Sequence, residues 1–277
     1  MTAKQTIPRV AAVQMVSGDE VEQNLKSAAD LIASAVATGA QIVVLPENFA
    51  VLSADAQAKV RVAEQPGAGP IQEFLYEQAR KHGIYLVGGT IPLVAESAGR
   101  VRAACLTIGP TGELLGRYDK IHLFDVALGS GKERYNESAT IEPGEQGCVI
   151  ETPWGNLGVA VCYDIRFPEL FRRMMQQDAR IVALPSAFTA TTGRAHWEVL
   201  LRARAIENQC YLIAPDQGAG HDRSRQTWGH SMIVSPWGDI LAELEEHGSG
   251  VATTEINLQS LAQLREKFPA LQHCRTL

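Results

Sequence analysis

The sequence predicts an α/β fold, a four-layer αββα sandwich in one domain spanning residues 1–277. Three observations carry that expectation. Strand-like and helix-like segments alternate over residues 9–214, and each strand, helix, strand unit calls for a right-handed crossover within one sheet. Beyond that point hairpins dominate, and two sheets face to face with helices outside is the simplest way to house both patterns. Finally, 277 residues with 45% hydrophobic and 20% charged content suffice for one substantial core, at a length where about 75% of the unfolded surface is removed from water.

Residues 9–14 carry the apolar run Val-Ala-Ala-Val of a first strand. Residues 21–38 have apolar side chains at helical spacing, closed by Gly39, and residues 41–45 read as the next strand. Pro46-Glu47-Asn48-Phe49 follows at that strand's end, where open α/β sheets collect ligand groups. The plainer reading of Glu47 is a first-turn helix acid. Residues 53–65 are polar and Ala-rich, which predicts a surface helix, and residues 71–81 predict another that stops at Gly83. Residues 84–88 are a strand. Residues 103–108 and 114–118 flank Pro110-Thr111-Gly112 and form a hairpin. Lys120 closes its second strand. A lone Lys there is ordinarily a solvated charge, but Tyr118, Ile121, Leu123 and Phe124 are unusual company for one.

Residues 125–139, with Gly129, Ser130 and Gly131, lack periodicity and are expected to form a loop that carries Glu137; long loops often build sites. Residues 148–152 and 157–161 are strands joined by Pro153-Trp154-Gly155-Asn156. Pro168 and Glu169 then open an amphipathic helix through Met175. Cys162 therefore stands where a strand hands over to a helix, a turn that can present a nucleophile beside backbone N–H groups. Taken alone it is more readily a packed thiol, since free Cys is among the most buried residue types. Residues 181–184 are a strand, and a polar loop over residues 189–194 precedes a helix over residues 196–208. Residues 210–214 are a strand, and residues 230–235 pair with 240–245 across Pro236-Trp237-Gly238-Asp239. Residues 257–267 are helical. The tail, residues 268–277, has aromatic and apolar residues without an evident partner and is expected to dock on a second subunit.

Lys and Arg number 25 against 31 Asp and Glu, a net charge of −6 with neither sign gathered into a block, whereas a nucleic-acid footprint needs a basic stripe. No run approaches the roughly 18 apolar residues of a membrane span. Met-Thr-Ala-Lys-Gln-Thr is too polar for a signal peptide. No nucleic-acid or membrane partner and a cytoplasmic location are expected. Five cysteines without a close pair suggest neither a disulfide framework nor a zinc ribbon, and seven scattered histidines lack metal-ligand spacing, so no metal or cofactor is expected.

What lifts Cys162 above a packing residue is that Glu47, Lys120 and Cys162 each close a predicted strand. A thiolate is the attacking species, so a base must take the thiol proton, while a nearby cation lowers the thiol pKa and stabilises an oxyanion. At this point the sequence resembles the nitrilase superfamily of carbon–nitrogen hydrolases. Its motifs stand here as Leu45-Pro46-Glu47-Asn48, Tyr118-Asp119-Lys120-Ile121-His122-Leu123 and Val161-Cys162-Tyr163-Asp164-Ile165-Arg166-Phe167-Pro168-Glu169. The resemblance runs over residues 10–264. It implies the αββα fold, a homodimer or higher homo-oligomer, Glu47 as general base, Lys120 as oxyanion stabiliser, Cys162 as nucleophile and Glu137 as a supporting glutamate.

Pro185-Ser186-Ala187-Phe188, Ala195-His196-Trp197-Glu198 and Trp228-Gly229-His230-Ser231 resemble the Nit branch of that superfamily. This implies a small-molecule amide substrate, the terminal amide of a dicarboxylic α-keto acid. Residues 126–135 depart from the shorter loop of that branch and bear on substrate choice. The free carboxylate of such a substrate needs a cation, and Arg can hold both oxygens in its planar fork. Arg166, one helical turn after Cys162, is the candidate; pairing with Asp164 or Glu169 to brace the turn is the other reading. Thr192 is expected to supply a hydroxyl, and Tyr163 a further substrate contact. Two rival classes remain: a cysteine hydrolase whose base is His122, His196 or His230, and a binding protein without turnover. The Glu and Lys motifs fit the amidase better.

Overall fold

The computed structural model describes residues 7–128, 133–219 and 226–275. Its first part runs β1 (Arg9–Gln14), α1 (Val21–Ala37), β2 (Ile42–Val44), α2 (Ala58–Arg61), α3 (Pro70–His82), β3 (Tyr85–Val87), β4 (Ile91–Val94), β5 (Val101–Ile108), β6 (Leu114–Asp119), β7 (Asp125–Leu128) and β8 (Glu133–Asn136). Then come β9 (Cys148–Ile150), β10 (Asn156–Val159), α4 (Pro168–Gln176), β11 (Ala179–Ala183), α5 (Ala190–Asn208), β12 (Tyr211–Ala214), β13 (Met232–Val234), β14 (Ile240–Glu243), β15 (Gly250–Glu255) and α6 (Leu258–Lys267).

The first sheet has the order β15-β1-β2-β3-β5-β4, with β6 also on β5, and the second the order β14-β13-β12-β11-β10-β9. In each sheet the central strands are parallel, β1-β2-β3 and β10-β11-β12. Pleating divides the apolar residues of β1 between two layers. Val10 and Ala12 join the core shared with the second sheet, whereas Ala11 and Val13 pack outward with Ala28, Ile32 and Ala35 of α1 and Leu75 of α3. Those α1 residues recur at the spacing of one helix face. On the far side, Leu170, Phe171 and Met174 of α4 and Trp197 and Leu201 of α5 close the second sheet. The result is the αββα sandwich.

Several local expectations are corrected. Residues 53–65 contain only the short α2, because Ser53 Oγ accepts the Asp55 N–H and Asp55 Oδ1 the Gln57 N–H, side-chain bonds that compete with helix formation. Residues 125–139 are not a loop. They form the β7–β8 hairpin, with Val126 opposite Tyr135, and a 3-10 turn over Glu137–Ala139; Gly129, Ser130 and Gly131 lie outside the described residues. Tyr135 packs on Phe124 with ring centroids 5.0 Å apart, which anchors strands too short to show a period. Residues 190–194 of the expected loop are helical, and Thr189 caps α5 by accepting the Thr192 N–H. β4 and β15 were not anticipated; Pro92 is tolerated in β4 because that strand lies at the sheet edge.

In the tail, Gln209 Nε2 donates to the Phe268 carbonyl at 2.7 Å and a 3-10 turn covers Ala270–His273. Residues 276 and 277 and the polar start, residues 1–6, lie outside the described part. Among the described residues no helix is long and apolar enough to cross a membrane.

Candidate active site

The chain segments leaving β2, β6, β10, β11 and β12 meet at one end of the sandwich. Pro46 and Glu47 follow β2, and Glu47 is only 2% exposed. Its Oε1 accepts a hydrogen bond from Lys120 Nζ at 2.8 Å and its Oε2 from the Ala187 N–H at 2.9 Å. Lys120 continues the β6 ladder, its N–H donating to the Ala103 carbonyl, and its ammonium donates to both oxygens of Glu137 at 3.0 and 2.8 Å. Glu137 opens the 3-10 turn after β8, where its Oε2 also accepts the Phe124 N–H. Thus the supporting glutamate is held by the end of β6 and by the segment that leads into the hairpin.

Cys162 begins the 3-10 turn Cys162–Arg166 after β10, with φ at 47°. This left-handed backbone is unusual for a side-chain-bearing residue. Its N–H donates to the Pro185 carbonyl at 2.9 Å. A cavity with about 330 Å³ of empty space, its open mouth included, is lined by Glu47, Lys120, Glu137, Cys162, Tyr163 and Thr192, among others. The four residues named for chemistry therefore share one cavity, although they come from distant parts of the chain.

The charges in this cavity are coupled. Burial by itself pushes the Lys120 pKa down, but Glu137, Glu47 and Cys162 together outweigh it and hold the ammonium above its ordinary range. For Glu137 burial works upward, and Lys120 followed by Lys59 turns the balance, so the carboxyl titrates below its ordinary range. Cys162 behaves differently. Burial and then the Glu47 carboxylate raise its thiol well above the usual value, and Lys120 lowers it by less. The expectation that the neighbouring cation leaves a low-pKa thiol is thus corrected: the resting thiol is neutral and needs a base during attack.

The nucleophile turn is braced by Asp164, but through other partners than the Arg166 that the sequence offers it. Asp164 is fully buried. One oxygen accepts from the Tyr118 hydroxyl at 2.6 Å and the Val161 N–H at 2.8 Å; the other accepts from the His122 N–H and lies 2.6 Å from His122 Nδ1. This ties the strand that carries Lys120 to the turn that carries Cys162. It also removes Asp164 as a partner for Arg166. The Arg166 guanidinium instead lies 3.4 Å from His196 Nδ1 and over the Tyr163 and Phe188 rings, at 5.8 and 5.4 Å from their centroids. So Arg166 is not braced by Asp164 or Glu169; it stands beside two aromatic residues that line the cavity. Thr192 does line it, with its hydroxyl 2.8 Å from that of Thr189.

None of the proposed histidine bases lines the cavity. His122 is held by Asp164, and His230 lies 3.0 Å from Glu243 Oε1 and stacks on Trp228. Sequence reasoning missed the Ala187 N–H and the Phe124 wall. For Ala187 the only signal was its place directly after a strand, at Pro185-Ser186-Ala187.

A sandwich of this layout, with Glu, Lys and Cys gathered at its strand ends, defines a class of carbon–nitrogen bond hydrolases. The carbon-nitrogen hydrolase family model matches residues 9–266, and the chain belongs to that family. A deaminated glutathione amidase of Yersinia enterocolitica is 43% identical over 267 residues, 96% of this chain and 92% of that protein. The omega-amidase NIT2 of Xenopus tropicalis is 40% identical over 261 residues, covering 94% and 92% respectively. Among solved structures, Saccharomyces cerevisiae Nit3, a member of branch 10 of the nitrilase superfamily, superposes with a TM-score of 0.85 at 31% identity over 95% of each chain. The protein is an amidase of the nitrilase superfamily.

Proposed function

We propose that this amidase cleaves the terminal amide of an α-keto dicarboxylic acid derivative through a thioester on Cys162, with deaminated glutathione as its substrate. The observation that carries the chemistry is the buried contact of Glu47 with Lys120 beside Cys162, in the same cavity. The amidase from Yersinia enterocolitica supports the substrate. The omega-amidase relative favours a second reading, in which α-ketoglutaramate or α-ketosuccinamate is preferred.

In this reading Glu47 takes the Cys162 proton as sulfur attacks the amide carbon. The oxyanion is met by the Lys120 ammonium and by a first-turn N–H of the nucleophile turn. Such amides lack intrahelical partners; those of Val161 and Cys162 are engaged by Asp164 and Pro185, which leaves that of Tyr163. Glu47 then protonates the leaving nitrogen, and a thioester remains. Next Glu47 takes a proton from water, hydroxide adds to the thioester, and collapse releases the acid and returns the proton to sulfur. Glu137 keeps Lys120 charged and in place. A panel of amides compared by kcat/KM tests the substrate: deaminated glutathione should lead, and preference for α-ketoglutaramate would select the second reading.

Arg166 holds the free carboxylate of the acyl half, with Thr192 and Tyr163 in contact beside it. A charge-assisted bond of this kind contributes about 1.5–3 kcal/mol. Arg166→Met is expected to raise KM for keto-acid amides by about one to two decades, with neutral aliphatic amides much less affected. Equal losses for both classes would remove Arg166 from substrate binding.

The protein works as a homodimer or higher homo-oligomer in the cytoplasm. All five cysteines are unpaired, as a reducing compartment requires. Val199 and Ile206 project from α5 at 66% and 47% exposure, and Trp237 and Phe268 at 67% and 56%. They form the apolar surface for a second copy, with the tail docked there. Val199→Glu with Trp237→Ser should shift sedimentation to the monomer.

A further inference from the structure

Asp216, two residues past the end of β12, is a fully buried carboxyl group that the mechanism above does not use. Its Oδ1 accepts the Phe188 N–H at 2.7 Å and the Gln217 N–H at 2.9 Å. Its Oδ2 is buried and has no hydrogen-bond partner among the described residues. Asp216 forms no ion pair there either; the groups that hydrogen-bond to it and to its neighbours are neutral. Ser231 Oγ accepts the Asp216 N–H and donates to Gln14 Oε1, and Gln217 Nε2 donates to Ser17 Oγ and the Glu47 carbonyl. An ionised carboxylate in such surroundings would carry a desolvation cost of several kcal/mol, which a neutral acid avoids.

The titratable groups that act on one another here are Glu47 from the segment after β2, Cys162 from the nucleophile turn and Asp216 itself. Lys120 is spent on Glu47 and Glu137, and His230, beside Ser231, is turned to Glu243. Burial foremost raises the Asp216 carboxyl well above its ordinary range; the Phe188 and Gln217 N–H bonds oppose it, the like charge of Glu47 adds to the rise, and the Gly229 amide opposes it least. The geometry gives this neutral acid a task. Phe188, whose N–H it holds, is covalently joined to Ala187, whose N–H meets Glu47 Oε2.

We propose that Asp216 is a positioning residue of the amidase reaction: carried as the neutral acid, it fixes the Phe188 amide and thereby aims the Ala187 N–H at Glu47. It does so without adding a third negative charge to a cavity where Glu47 and Glu137 share one ammonium. This inference rests on Glu47 being the base.

The test uses Asp216→Asn and Asp216→Ala in the full-length enzyme, with Glu47→Gln alongside. Asn keeps an oxygen for both amides and carries no charge. It should retain most of kcat and leave the pH–rate profile in place. Asp216→Ala frees the Phe188 amide, and a misplacement on the ångström scale costs about 100-fold, so kcat should fall by about 10- to 100-fold. A stability readout is independent of turnover. Because the folded carboxyl titrates above its unfolded value, folding takes up a proton at neutral pH. The wild type therefore loses this contribution as pH rises from the ordinary Asp range, and Asn does not. The melting temperature of Asp216→Asn relative to wild type should rise from acidic to neutral pH. A pH-independent difference, an Asn variant whose kcat falls by about 10-fold or more, or an unimpaired Ala variant would each overturn the proposal, and the first two can be read even if the Ala variant does not fold. Activity in Glu47→Gln would instead overturn the reading of the base.

Discussion

Cys162→Ala is expected to abolish amide hydrolysis, lowering kcat by a factor on the order of 10⁶, as removal of a nucleophile does in other covalent hydrolases. The fold should survive, because the turn is held by backbone and Asp164 bonds that do not involve sulfur: the Cys162 N–H to Pro185 and the Val161 N–H to Asp164. Intact-protein mass spectrometry of a quenched wild-type reaction should show the acyl adduct on Cys162. The alanine variant should show none. Wild-type-like turnover by that variant, with unchanged circular dichroism, would rule out the thioester route.

Replacing Glu47 by Gln should be nearly as severe, for a different reason. The side chain keeps its shape and can still meet Lys120 and the Ala187 N–H, but it cannot accept a proton. Because the Cys162 thiol is buried and neutral at rest, with its pKa raised rather than lowered, the lost proton acceptor is needed at the first step. It is needed again when water attacks the thioester. Acid–base catalysis is worth about 10² to 10⁴ per step, so a loss of about four or more decades in kcat is expected. Single-turnover kinetics should show acylation itself slowed. Normal acylation with slow deacylation would confine Glu47 to the second half-reaction.

These two outcomes separate what the chain encodes locally from what folding adds. Local patterns were sufficient to place Glu47, Lys120 and Cys162 at strand ends, because each follows a strand whose apolar run is readable over a few residues, and strand ends are where such a fold gathers ligand groups; it is their joint placement that singles them out. The same held for α1 and α3, whose apolar spacing and closing glycines, Gly39 and Gly83, are local signals. The β7–β8 hairpin escaped notice since each strand is only four residues long and is anchored by Phe124 packing on Tyr135. The residues 53–65 helix failed where Ser53 and Asp55 turn their side chains onto the backbone.

By itself, then, the sequence determined the sandwich and the strand ends at which Glu47, Lys120 and Cys162 stand, since periodicity and strand-end motifs are properties of short stretches. Only the tertiary structure decided the electrical state of the site. Glu47 and the Ala187 N–H that holds it are 140 residues apart. Arg166 could be seen one turn from Cys162, yet its neighbours proved to be His196 and Phe188 from the α5 side. Whether the Cys162 thiol is ionised, whether Asp164 braces the turn and whether Asp216 carries a proton all depend on burial and on through-space charges. Those quantities exist only after distant segments have been packed together and water has been excluded from between them.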